Sequence, residues 1–210
     1  METINLFGPQ IFKFKIGNSK KVKELYYKKL RRLHWRRKYV PQKWLCDVNT
    51  SFGKKLPTHI NWSPLEQEYM RITKDFIMGY PVPCNGFMIK DMWYNIYDKG
   101  QYQERHSHQA QKTNFSAIHF LKFDQTQHPF TRFHNYHPFY ASMKSQEKLQ
   151  SLQTSNNNTF YSDFYDIHVE EGDLIIFPSE LEHSVPRNES NELRMTIAFN
   201  IQIFNDPEVK

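Results

Sequence analysis

The chain has 210 residues, 39% apolar and 16% aromatic, which is enough for one domain with a sizeable core and unlike the composition of a disordered segment. It holds no run near the roughly 18 apolar residues of a membrane helix, its first residues lack an export signal, and its two cysteines, Cys46 and Cys84, exclude a disulfide framework or a thiolate metal centre. A cytoplasmic protein without membrane contact is expected, and any metal chemistry falls to carboxylates and the ten histidines.

In chain order, the first feature is a basic segment. Lys20 to Lys38 holds ten Lys or Arg residues against one acid, Glu24, so this stretch carries +9 of a net +6 and leaves 6 − 9 = −3 for the remainder. Val22, Leu25, Tyr26, Leu30 and Leu33 recur through it at helical spacing, predicting an amphipathic helix whose charged face is solvated or meets a polyanion. A second helix is signalled by Ser63-Pro64-Leu65-Glu66, a capping-box serine with proline in the first turn, and by the stripe Leu65, Tyr69, Ile72 and Phe76. Gly79, Pro81 and Pro83 end it. Residues 1–85 thus form a basic, partly helical flank packing on the core.

From residue 86 to about 205 the pattern changes to strands: Phe87 to Tyr97, with Phe87, Ile89, Trp93 and Tyr97 on one parity, then Asn114 to Phe123, Arg132 to His134, Phe164 to Val169, Asp173 to Phe177, His183 to Val185 and Arg194 to Phe204. Turns at Asp98-Lys99-Gly100 and Glu170-Glu171-Gly172 separate some of them, and a Ser/Gln/Asn-rich insert at about 142–159 interrupts the series. Many short strands without intervening helices predict a mainly β fold with flanking helices, an antiparallel sandwich, barrel or jelly roll.

Chemistry concentrates in that half. His106 and His108 are two residues apart, so on a strand both point to one face and can bind one ion, with a ligand from a distant strand completing a facial triad. Three ligands on one side leave the opposite positions open to O₂ and a cosubstrate. Imidazole alone does not name the metal, since Fe, Zn, Cu and Ni all accept it.

Four segments carry a resemblance: Trp93-Tyr94-Asn95-Ile96-Tyr97 through His106-Ser107-His108; Phe115 to Leu121; Glu171-Gly172-Asp173 through Phe177-Pro178-Ser179 to His183; and Arg194-x-Thr196-x-Ala198-Phe199-Asn200. Together, over about residues 86–202, they resemble the 2-oxoglutarate/Fe(II)-dependent oxygenases of marine bacteria and tailed phages, relatives of the prolyl hydroxylases. The resemblance implies a double-stranded β-helix of jelly-roll or cupin type, with Fe(II), 2-oxoglutarate and O₂ as cofactors, ascorbate as a supportive reductant, and a protein residue as the first guess for the substrate. A phage-encoded member would work in its host's cytoplasm.

Carried over by position, His106 and His183 match the two histidine ligands, and Arg194 matches the strand arginine that pairs with the distal carboxylate of 2-oxoglutarate. Thr196 takes the place of a hydroxyl that makes a second contact there. Position 108 usually carries Asp or Glu in the wider superfamily, and here His108 is the third candidate ligand. Phe120 stands where relatives often have a tyrosine hydroxyl, so Tyr94, Asn95, Tyr97 and Tyr102 are candidates to replace it. Glu104 is the first carboxylate to consider if His108 is not a ligand, and His119, His128, His134 and His137 are either mouth residues or solvated loop histidines. Two other classes remain open: a three-histidine cupin-type dioxygenase without 2-oxoglutarate, for which Arg194 would have no purpose, and a non-enzymatic polyanion- or protein-binding module using residues 20–38.

Overall fold

The computed structural model describes residues 9–36, 41, 44–80, 84–108, 112–135 and 163–204. The insert at 142–159, His137, and Arg37 and Lys38 of the basic segment lie outside the described residues. In chain order the elements are β1 (Phe12–Lys15), α1 (Ser19–Arg36), β2 (Asn49–Thr50), α2 (Ser63–Gly79), β3 (Gly86–Tyr97), β4 (Gln103–His106), β5 (Phe115–Lys122), β6 (Arg132–His134), β7 (Phe164–Asp166), β8 (Asp173–Pro178), β9 (His183–Val185) and β10 (Arg194–Phe204).

The strands form two antiparallel sheets, one ordered β1-β8-β5-β10-β3-β2 and the other β4-β9-β6-β7. From β3 to β6, and again from β7 to β10, successive strands alternate between them, the winding of a double-stranded β-helix. β10, at the centre of the larger sheet, is buried on both faces from Arg194 to Ile201. Met195, Ile197, Phe199 and Ile201 pack among Tyr26 and Leu30 of α1 and Leu65, Tyr69, Ile72 and Phe76 of α2. Each such side chain contributes roughly 1.5–3 kcal/mol by leaving water. On the other face, Phe120, Phe133, Ile175 and Phe177 fill part of the space between the sheets, and Arg194, Thr196 and Ala198 line a cavity in the rest.

Several details differ from the sequence's prediction. The first 85 residues supply both edges of the larger sheet: β1 pairs with β8, Phe12 opposite Ile176, and β2 pairs with β3. An ion pair of 2.6 Å between Lys15 and the buried Asp173 secures the first edge. Ser63 does not cap α2. Trp62 precedes the helix without a side-chain bond, and the Asn61 side chain accepts from the Ser63 amide instead, at 3.1 Å. Leu25 is exposed, off the apolar stripe of α1, and β7 covers only Phe164–Asp166, short of Val169.

The single parity predicted for β3 is also broken. Ala198 faces Trp93 but Asn200 faces Lys90, so two residues of β3 oppose one of β10, and Asp91 takes φ +46°. This bulge flips the alternation. Phe87 and Ile89 stay with the helix-covered core, joined beyond the bulge by Tyr94 and Ile96, while Trp93, Asn95 and Tyr97 turn to the cavity.

Candidate active site

The cavity, of about 130 Å³, opens between the sheets. At its centre His106, His108 and His183 bring one nitrogen each to within 4.8 Å of one another. His106 ends β4 directly opposite His183 at the start of β9, with ring centroids 4.2 Å apart. His108 lies just past the end of β4, where its backbone amide donates to the Ser179 carbonyl at 2.8 Å, and its ring stacks on Trp93.

All three Nδ1 atoms have an oxygen partner: the Glu104 carbonyl for His106 at 2.8 Å, the Asn200 side-chain oxygen for His108 at 2.9 Å, and the Leu181 carbonyl for His183 at 3.0 Å. An oxygen acceptor fixes the proton on Nδ1 and leaves the Nε2 lone pair for the shared centre, the usual support of a metal-bound histidine. Burial lowers the pKa of each ring, to about 4 for His108 and well below the ordinary value for His183, so the imidazoles stay neutral. Three neutral imidazoles facing one point fit a divalent transition metal. No carboxylate joins this group among the described residues, and Glu104 instead accepts from the Leu45 amide at 3.1 Å.

Arg194 forms another part of the cavity wall. It is fully buried, and its guanidinium carbon lies 4.9, 5.5 and 5.7 Å from the ring centres of Tyr97, Phe120 and Phe123. Nε donates to the Pro129 carbonyl at 3.1 Å and Nη2 to the Thr131 hydroxyl at 3.0 Å. Nη1 is buried without a hydrogen-bond partner, and among the described residues no carboxylate pairs with Arg194. A buried guanidinium lacking an anion is costly, so this arrangement fits a carboxylate ligand.

Thr196, Asn95 and Tyr97 also line the cavity, with Asn95 Oδ1 buried and unbonded. The Tyr97 hydroxyl donates to Gln103 Oε1 at 2.6 Å, which turns Gln103 Nε2 toward His106 Nε2 at 3.4 Å. Tyr94 and Tyr102 do not reach the cavity: Tyr94 packs under α2, and Tyr102 donates to the Leu45 carbonyl. His119 is neither a mouth residue nor solvated, being buried against the Tyr69 hydroxyl at 2.8 Å. His128 is also buried, accepting the Asp124 amide and meeting the Glu192 carbonyl, while His134 bonds Ser184. Thr131 carries no mark in the sequence pattern that singles it out, while Gln103, Ser116 and Asn200 fall within the segments of the resemblance without a site role assigned to them there.

A family model described as "Putative 2OG-Fe(II) oxygenase" matches residues 91–200, just over half of the chain. Among solved structures, a prolyl-4-hydroxylase from Pseudomonas putida superposes with a TM-score of 0.57 at 13% identity, over 93% of this chain and 92% of that one. A viral collagen prolyl hydroxylase from Paramecium Bursaria Chlorella virus-1, in a 2OG complex, gives 0.55 at 12%, over 91% and 94%. A prolyl hydroxylase from Trichoplax adhaerens, in complex with a hypoxia inducible factor peptide fragment, gives 0.58 at 10%, over 93% and 83%. At such identities the likeness is one of fold. No curated protein gives a significant sequence match.

Proposed function

The chain belongs to the 2OG-Fe(II) oxygenase family, and from that membership we propose that His106, His108 and His183 hold the Fe(II), that Arg194 anchors 2-oxoglutarate, and that the enzyme hydroxylates a residue of a protein. The observation that carries the assignment is Arg194 Nη1, a buried donor in the cavity wall with no partner of its own. Iron and 2-oxoglutarate, when bound, supply the oxidising power; the chain contributes position, charge and exclusion of water.

In this reading Arg194 receives the distal carboxylate in a charge-assisted contact, held in aim by Pro129 and Thr131 and walled from water by Tyr97, Phe120 and Phe123. Thr196 and Asn95 are placed to complete the polar contacts of the cosubstrate. Trp44, Phe52 and Trp93 form an aromatic wall on the side of His106 and His108, where an aliphatic ring such as proline can pack. A protein substrate is further supported by the peptide seen with the Trichoplax enzyme. A three-histidine dioxygenase working without 2-oxoglutarate would leave Arg194 Nη1 buried and unbonded. The exposed residues Lys20, Lys21, Lys28, Arg31 and Arg32 of α1 support an added contact with polyanions, read as salt-sensitive retention on heparin.

The test is an anaerobic titration of the Fe(II)-loaded protein with 2-oxoglutarate, followed by O₂. A weak visible charge-transfer band and then succinate are expected. Incubation with proline-containing peptides should add one oxygen to a peptide by mass. Absence of both band and succinate would overturn the enzymatic reading, whereas succinate without peptide oxidation overturns only the substrate.

A further inference from the structure

Behind His108 lies a row of buried polar side chains that the proposed chemistry leaves unused. Asn200 Oδ1 stands 2.9 Å from His108 Nδ1 and 2.9 Å from Ser116 Oγ. Ser116 Oγ is 3.1 Å from Ser179 Oγ, which is 3.0 Å from Thr113 Oγ1. Asn200, Ser116 and Ser179 are exposed by 2% or less.

The hydrogen-bond rules give this row a direction. An amide oxygen accepts and cannot donate, so both of its neighbours must donate to it. His108 therefore carries its proton on Nδ1, and Ser116 spends its single hydroxyl proton on Asn200. Ser116 then has only lone pairs left for Ser179, which donates to it, and Thr113 in turn donates to Ser179. Turning the Asn200 amide over would set its NH₂ against His108 Nδ1, which would then accept and carry the ring proton on Nε2, closing that nitrogen to the shared centre.

We propose that Asn200 is the positioning residue that makes His108 a metal ligand; the proposal rests on the three-histidine metal site argued above. His106 and His183 each direct Nδ1 to the carbonyl of the residue two places earlier, Glu104 and Leu181. His108 directs Nδ1 to a side chain of the opposite sheet instead. Trp93, stacked at 5.4 Å and 22°, fixes the plane of the ring, and Asn200 fixes its rotation and tautomer. The bulge in β3 turns Trp93 to this face, and Asn200 reaches it by sharing the parity of Thr196 and Ala198 on the regular strand β10. A carboxylate in the place of His108 would have no proton to give, so an amide oxygen aimed at this position suits imidazole specifically.

The test uses the full metal-free chain with ¹⁵N-labelled histidine. Long-range proton–nitrogen NMR reads the tautomer of His108, Co(II) titration reads affinity through its visible bands, and thermal melting reads stability. The Nδ1–H form is expected in the wild type. Asn200→Leu should mix the tautomers and weaken Co(II) binding about 10- to 100-fold, while Asn200→Asp, which keeps an acceptor, should retain both. A merely structural role would lower the melting temperature and leave Co(II) affinity in place. An Nε2–H form of His108 in the wild type, which requires no variant to fold, overturns the proposal, as does unchanged Co(II) binding by Asn200→Leu. A wild type that binds no Co(II) at all would instead overturn the metal site itself.

Discussion

Arg194 is the residue whose surroundings say most about its partner. A guanidinium with two donors satisfied by protein and a third buried and idle has been built for an anion. Arg194→Met keeps the stem among Tyr97, Phe120 and Phe123 and removes the charge, so it should cost about 2–5 kcal/mol of cosubstrate binding, at least about a thirtyfold loss. Calorimetric titration with 2-oxoglutarate should show that loss with metal affinity unchanged; equal loss of both would make Arg194 a general structural support.

The buried histidines make a prediction about acid. His106, His108, His119 and His183 all have pKa values lowered chiefly by burial, His108 to about 4 and His119 to about 3. The unfolded chain takes up these protons below about pH 6.5 while the folded chain does not. Stability is therefore fully present above about pH 6.5 and falls as the pH drops toward 3 to 4. Urea midpoints of the metal-free protein should fall over that range, and flat midpoints would mean that the rings are protonated in the fold. The three candidate ligand histidines and Arg194 were legible because spacing and motif mark them. Thr131 and Ser116 were not, because an ordinary polar strand or loop residue acquires a role only from what folding places beside it.

At the scale of elements, most strands were legible from turn residues and β-favouring composition. β1 and β2 were not, since four and two residues carry too little pattern. Nor was the bulge in β3, because its cause is Asp91 at φ +46°, a conformation that many sequences avoid and Asp tolerates. Asp91→Val should cost about 1–2 kcal/mol, the left-handed penalty for an L-residue, while Asp91→Gly should be close to neutral. Deletion of Asp91 should do more, turning Trp93, Asn95 and Tyr97 toward the helices and abolishing metal binding. Melting curves and Co(II) spectra separate these outcomes, and a deletion variant that still binds Co(II) would show that the bulge does not set the cavity face.

For the whole molecule, the family match begins at residue 91, yet the sheet it describes is completed from outside. Without α1, α2 and β1, the face formed by Leu174, Ile176, Met195, Ile197 and Phe199 would meet water and the β8 edge would be unpaired. A chain beginning at Gly86 is expected to aggregate, scored by soluble yield and binding of a hydrophobic dye; a monomeric, cooperatively melting product would make the flank dispensable. No helix among the described residues is long and apolar enough to cross a membrane.

The burial of β10 on both faces has one more consequence. It lies between β5 and β3, and its amides and carbonyls can reach solvent only if the larger sheet comes apart. Deuterium should enter Met195 to Ile201 only through global unfolding, and enter the short β7 and β9 far sooner. Arg194 and Asn200 then sit on the segment that opens least often, while His183 sits on one that opens readily. On the proposed assignment, metal would be released through excursions of β9 alone, leaving Arg194 and Asn200 in place.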